Sequence, residues 1–271
     1  MGILTPQTVH NFMQTYLEQI NTNLSKTLIK GVYLYGSIAL GAFEEKSDVD
    51  FIVLLNRPLN EKEIEMIKDI HTQLSKEDLG SRMDGMYIQA TDLGKGNEAM
   101  HPYPFCAEGV VRVGHWDINH ITWWVLKNHG IVLQGTAIQE LQISTEWEDV
   151  LETLKYNMNQ YWYEKTKEIP DSVPDEVVEF VTTTICRIIY SLKYQQIISK
   201  REVLEKGLSM LPNTWHPLLK EGMRIRTLEQ SPSLFDTEQL RAEACRNLIL
   251  YAHKICNEVY FQGVEKWKLE D

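Results

Sequence analysis

The sequence contains no run of about 18 apolar residues, the length a helix needs to cross a bilayer. Its start, MGILTPQTVHNF, has neither the basic nor the apolar region of a secretory signal. Gly2 is not followed by the serine or threonine that accompanies N-myristoylation. Cysteine is scarce: Cys106, Cys186, Cys245 and Cys256 show no CxxC spacing. Three of them fall in apparent helices, where a free cysteine behaves as a small buried hydrophobe. Positive charge is short as well, with 27 Lys and Arg against 38 Asp and Glu and a net charge of −11. A chain of that sign does not attract nucleic-acid phosphates through its bulk charge, and it suits a cationic small molecule. These absences point to a cytoplasmic protein that engages neither membrane nor nucleic acid.

What is present is organised around Gly31 to Asn56, GVYLYGSIALGAFEEKSDVDFIVLLN. Val32–Tyr35 reads as a strand ending on Gly36-Ser37, and Val49–Leu55 as a second strand entered through Asp48-Val49-Asp50. Residues two apart on a strand share a face, so the carboxylates of Asp48 and Asp50 project together. Two carboxylates side by side repel unless a cation lies between them, and Mg²⁺ commonly takes one or two carboxylates plus substrate phosphates. Gly36 permits close approach of the backbone to a ligand, and Ser37 offers a hydroxyl to phosphate oxygens.

Gly-Ser, ten residues, then Asp-x-Asp between apolar strands resembles the signature of the nucleotidyltransferase superfamily related to DNA polymerase beta. The resemblance implies a third carboxylate on the adjacent strand. Arg82–Gln89, RMDGMYIQ, reads as that strand, and Asp84 is its candidate, as base or second metal ligand. The catalytic set is then Asp48, Asp50 and Asp84, with Gly36 and Ser37 on the nucleotide.

The rest of the chain frames this motif. Thr5-Pro6 predicts a helix start, followed by Val9, Phe12, Met13, Tyr16, Leu17, Ile20 and Leu24 at helical spacing. Ala39–Phe43 is apolar enough for a short helix. Arg57–Asn60 turns the chain into an amphipathic helix over Glu61–Lys76. Gly94–Phe105 reads as loop, and Trp116 to about Asn128 as a helix with Trp123 and Trp124 as packing residues. His115, Asp117 and His120 do not form a convincing zinc-ligand spacing. From Trp147 onward no strand is apparent, and five helices are predicted over Trp147–Lys167, Asp175–Gln195, Lys200–Met210, Trp215–Glu229 and Thr237–Phe261. The expected fold is α+β: a nucleotidyltransferase domain over 1–145, with a mixed sheet and flanking helices, then an all-α bundle over 146–271 that completes a cleft for ATP and acceptor.

A second stretch, CRIIYSLKYQQIISKRE from Cys186 to Glu202, resembles the helical domain of the streptomycin and spectinomycin adenylyltransferases. In that family an arginine and a lysine thirteen residues later reach the triphosphate. They map here onto Arg187 and Lys200. The family's base is a glutamate, where this chain has Asp84, one methylene shorter. It also stacks the drug on a tryptophan in Gly-Glu-Trp, whereas the matching stretch here, Cys106-Ala107-Glu108-Gly109, has Gly109 at that place. Glu108, Asp175, Glu176 and Glu179 are the acidic candidates for the acceptor's amines. The resemblance thus implies Mg²⁺-dependent transfer of AMP from ATP to a hydroxyl of an aminoglycoside-like antibiotic. The departures leave open transfer to another small molecule or a protein hydroxyl, or a non-catalytic nucleotide-binding or antitoxin-like module.

Overall fold

The computed structural model of the protein describes residues 6–227 and 230–262, and the chain divides into two compact units between Glu146 and Trp147. In the first, the described elements run α1 (Gln7–Asn23), β1 (Ile29–Leu34), α2 (Gly36–Ala39), β2 (Val49–Leu55), α3 (Glu61–Leu74), α4 (Asp78–Ser81), β3 (Met83–Gln89), β4 (Tyr103–Ala107), β5 (Val110–Gly114), α5 (His120–His129) and β6 (Ile131–Gly135). The six strands form one mixed sheet in the order β5-β4-β3-β2-β1-β6. Only β2 and β3 are parallel. A parallel pair needs a crossover, which α3 and α4 supply.

One face of the sheet is the core. α1 contributes Phe12, Met13, Tyr16 and Ile20, and α3 contributes Ile67, Ile70 and Leu74, to a cluster with Val49, Phe51, Val53, Leu55, Met83 and Tyr87 of the sheet. Each such side chain fully buried stabilises by roughly 1.5–3 kcal/mol before entropy is counted. Strand side chains alternate, so Asp50 and Asp84 belong to the opposite face. Asn60 fixes the start of α3 with a capping box: it accepts from the Glu63 N–H at 3.0 Å, and Glu63 accepts from the Asn60 N–H at 2.9 Å. Such a cap is worth about 1 kcal/mol.

The structure departs from the sequence expectation in two places that matter for the site. The segment around Tyr103–Phe105 is not loop but the start of a hairpin, β4–β5, closed by Glu108-Gly109 with φ of 52° and 73°. Positive φ at both turn residues is the two-residue turn that matches strand twist. Pro104 argued against a strand because it donates no ladder hydrogen bond. It lies beyond the Gly85–Cys106 and Met86–Phe105 rungs that join β4 to β3, so it interrupts no rung there. The second departure is that α5 begins at His120, capped by Asn119, whose side chain accepts from the Ile121 N–H at 2.9 Å. Trp116 therefore precedes the helix. Thr5, expected as a helix cap, lies outside the described residues.

The second unit is helical: α6 (Trp147–Tyr156), α7 (Tyr163–Glu168), α8 (Asp175–Tyr194), α9 (Lys200–Met210), α10 (His216–Arg226) and α11 (Glu238–Ile255). Two π-helical segments, Asn157–Trp162 and Cys256–Tyr260, widen what hydrophobic periodicity reads as continuous helix. Asn159 and Asn257 join them through reciprocal amide hydrogen bonds of 3.1 and 2.7 Å. Leu228 and Glu229, the end of the helix expected after Trp215, lie outside the described residues. Glu221 on α10 is fully buried and accepts from Arg224, from Ser233 at 2.7 Å and from the Leu234 N–H at 3.0 Å. Arg241 of α11 bridges it to Asp175 of α8. A buried carboxylate is tolerated only when its charge is answered in this way.

Candidate active site

Asp50 and Asp84 stand directly opposite each other in the parallel register of β2 and β3. Asp48 precedes β2 in an exposed position. The segment leading to it is fastened by Arg82, which donates to the Ser47 carbonyl at 2.9 Å and to the Glu45 carbonyl, and whose other end pairs with Asp78 at 2.6 Å. The Val49 N–H donates to the Arg82 carbonyl at 2.8 Å, which joins the two strand entrances. Sequence reading assigned Arg82 no such role.

The Gly-Ser turn lies against the Asp50 carboxylate. Gly36 has a φ of 61°, and a Cβ on it would collide with the Asp50 carboxylate. Both facts require glycine. The Ser37 hydroxyl oxygen is buried and has no hydrogen-bond partner. Native structures rarely leave such an atom unanswered, and it follows directly on Gly36, whose Cβ position is filled by the Asp50 carboxylate. Tyr35, just before the turn, donates its N–H to the Asp50 carbonyl at 3.1 Å. Its phenol is held well above its ordinary pKa, first by burial and then by Asp50, Asp84, Asp117 and Tyr103.

Asp84 is a strongly perturbed carboxylate. Burial lifts its pKa to about 6, against the hydrogen bond from Trp116, with Asp48, Asp117 and Glu108 adding to the rise. The Trp116 indole N–H donates to Asp84 Oδ1 at 2.6 Å. Neither Trp116 nor Asp117 was anticipated as part of the site, because both were read as the first turn of a helix. The signal that separates them from it is Asn119, a preferred N-cap residue in front of an apolar run. His115 instead meets the Met100 carbonyl at 3.1 Å, and His120 the Thr145 hydroxyl at 3.2 Å.

Among the described residues no group of three or more His, Cys, Asp or Glu side chains is placed to hold a metal ion. A magnesium site does not require one, because that ion keeps waters and substrate phosphates among its six ligands. The donor set fits it: Asp48 and Asp50 would supply two hard carboxylate oxygens, and the orphaned Ser37 hydroxyl can meet a phosphate oxygen.

Glu108 and Gly109 form the hairpin turn, where a Cβ on Gly109 would stand 2.6 Å from the Gly80 carbonyl oxygen. No tryptophan can occupy that position. In the second unit, Arg187 on α8 donates Nε–H to the Ile198 carbonyl at 3.0 Å. That bond fixes the approach to Ser199, which caps α9 by accepting the Glu202 N–H at 3.2 Å. Lys200 is the first residue of α9 and is exposed, so its charge adds to the positive end of the helix dipole. Asp175 pairs with Arg241 at 2.6 Å and Arg224 at 3.4 Å, and Glu179 pairs with Arg226. Glu176 is exposed.

Comparison with known proteins matches residues 16–85 to the nucleotidyltransferase domain and residues 145–251 to the aminoglycoside adenylyltransferase C-terminal domain. Aminoglycoside (3'') (9) adenylyltransferases of Klebsiella pneumoniae and Escherichia coli are 24% identical to this chain over 221 residues, covering 75% of it and 79% of each relative. The crystal structure of spectinomycin adenyltransferase AAD(9) from Enterococcus faecialis, with ATP and spectinomycin, shares the fold. Its TM-score is 0.63 at 17% identity, over 89% of this chain and 99% of that one.

Proposed function

We propose that the chain is an aminoglycoside adenylyltransferase of the nucleotidyltransferase superfamily, a reading supported by the two matched domains and the 24% identical relatives, and that it transfers AMP from ATP to a hydroxyl of an aminoglycoside-like antibiotic, releasing pyrophosphate. The observation that carries this reading is the pairing of Asp50 with Asp84 beside a glycine-serine turn whose hydroxyl is buried without a partner.

In this reading Asp48 and Asp50 hold Mg²⁺, which when bound offsets the triphosphate charge and stabilises the departing pyrophosphate. Gly36 leaves room for the phosphates, and Ser37 donates its hydroxyl proton to one of them. Arg187 and Lys200 supply the further cations that a triphosphate needs. The acceptor hydroxyl forms a bond to the α-phosphorus as the bond to pyrophosphate breaks, and its proton passes to Asp84. A carboxylate with a pKa lifted to about 6 is better matched to that proton at neutral pH than an ordinary one. Most of the acceleration comes from alignment and charge placement. The acceptor's amines meet the exposed carboxylates of Glu108, Asp117 and Glu176. Asp175 and Glu179 are already joined to arginines, which leaves them less available to those amines.

The test is to incubate the protein with ATP, Mg²⁺ and a panel including spectinomycin and streptomycin, and to measure pyrophosphate release and adenylylated drug. Release with one drug, lost in Asp50→Asn while the circular dichroism spectrum is kept, supports the reading. ATP binding with no release across the panel overturns it.

A further inference from the structure

Asp84 is held at one oxygen by a side chain that is itself held at several points. Trp116 donates its indole N–H to Asp84 Oδ1 at 2.6 Å. Its ring stacks on Phe105, with centroids 4.9 Å apart and planes within 6°. Its backbone N–H donates to the Tyr103 hydroxyl at 2.9 Å, and its carbonyl accepts from the Asn97 side-chain amide at 2.5 Å. The Tyr103 hydroxyl in turn donates to Asn97 Oδ1 at 2.8 Å, which closes the loop of hydrogen bonds. Phe105 and Tyr103 are both buried on β4, next to β3 in the sheet. The indole therefore cannot follow Asp84 if the carboxylate turns.

We infer that Trp116 is a positioning residue for the adenylyl transfer, reserving Asp84 Oδ1 as a hydrogen-bond acceptor so that Oδ2 alone receives the acceptor's proton. The chemistry of the two groups requires this division. An indole N–H donates and cannot accept, so its bond is strongest to an unprotonated oxygen and favours the proton on Oδ2. The carboxyl torsion of an aspartate is broad and roughly two-fold, and without a fixed donor either oxygen could face the reacting hydroxyl. With the donor in place, the O–H bond of the acceptor breaks, its proton forms a bond to Oδ2, and the freed oxygen bonds to phosphorus as pyrophosphate leaves. Groups that orient a reacting side chain in this way typically matter by 10–100-fold.

The inference rests on the adenylyl-transfer reading, and the experiment separates the two. Trp116→Phe keeps a ring against Phe105 and removes only the donor. It is expected to lower kcat by roughly 10–100-fold, with KM for ATP unchanged. Added to Asp84→Asn it should produce no further loss, whereas Trp116→His, which restores a ring N–H, should recover part of the rate. Independently of turnover, the indole proton resonance missing from Trp116→Phe identifies Trp116 in the wild-type spectrum. That proton should exchange slowly with solvent and should move in Asp84→Ala. A wild type that transfers AMP alongside a Trp116→Phe variant with equal kcat overturns the inference alone, as does an indole resonance indifferent to Asp84→Ala. A wild type that transfers nothing to any acceptor overturns the functional reading, and this inference with it.

Discussion

The space in which a side chain on Gly36 would stand is filled by the carboxylate of Asp50. Gly36→Ala must therefore displace that carboxylate and also hold alanine at a φ of 61°. The backbone penalty alone is about 1–2 kcal/mol. A shift of the order of an ångström at a reacting centre can lower turnover about 100-fold. The expected outcome is a modest fall in melting temperature with a far larger loss of kcat. Unchanged turnover in steady-state assays would show that the contact between turn and strand has no part in the chemistry.

Ser37→Ala should behave in the opposite sense for stability. Its buried oxygen has no hydrogen-bond partner, so removing it relieves a desolvated group rather than breaking a bond. The melting temperature should hold or rise, while KM for ATP increases by about tenfold, the value of one hydrogen bond to a charged phosphate. Thermal melts and ATP titrations on the same preparation check both halves. A loss of stability with unchanged KM would make Ser37 a packing residue.

A third expectation concerns pH. His71 is buried on α3, meets the Tyr87 hydroxyl at 2.8 Å and the Cys106 thiol at 3.3 Å, and Tyr87 continues to the Tyr16 hydroxyl at 2.8 Å. Burial pushes its pKa down to about 4 from 6.5. The unfolded chain therefore takes up a proton between pH 6.5 and 4 that the folded chain refuses. Stability is independent of this group above pH 6.5, falls as pH drops through the window, and levels below about 4. The full excursion is roughly 3 kcal/mol. Urea melts across the window should show the slope in wild type and lack this part of it in His71→Gln.

The α+β fold was legible because its signals are local and redundant. Alternating apolar strands flank Asp48-Val49-Asp50, and helical spacing marks α1, α3 and the elements after Trp147. The register that sets Asp50 opposite Asp84 follows from two readable strands and a crossover. The hairpin from Tyr103 to Gly114 was not legible. Pro102 and Pro104 carry the signal of a loop, and only the rungs to β3 show that Pro104 escapes the cost. Trp116 was hidden for a related reason. Its contact with Asp84 spans 32 residues and depends on that hairpin, while its sequence neighbours resemble a helix start. The arginine partners of Asp175 and Glu179 are equally long-range, each 47 or more residues away.

The Glu108-Gly109 turn has a consequence for how the protein can change over generations. With the Gly80 carbonyl 2.6 Å from where a Cβ would begin, substitutions at position 109 are eliminated by misfolding before any effect on ligand choice is felt. Changes that alter ligand choice should therefore arise among exposed residues of the same unit such as Glu108 and Asp117, where a changed side chain leaves the hairpin backbone intact.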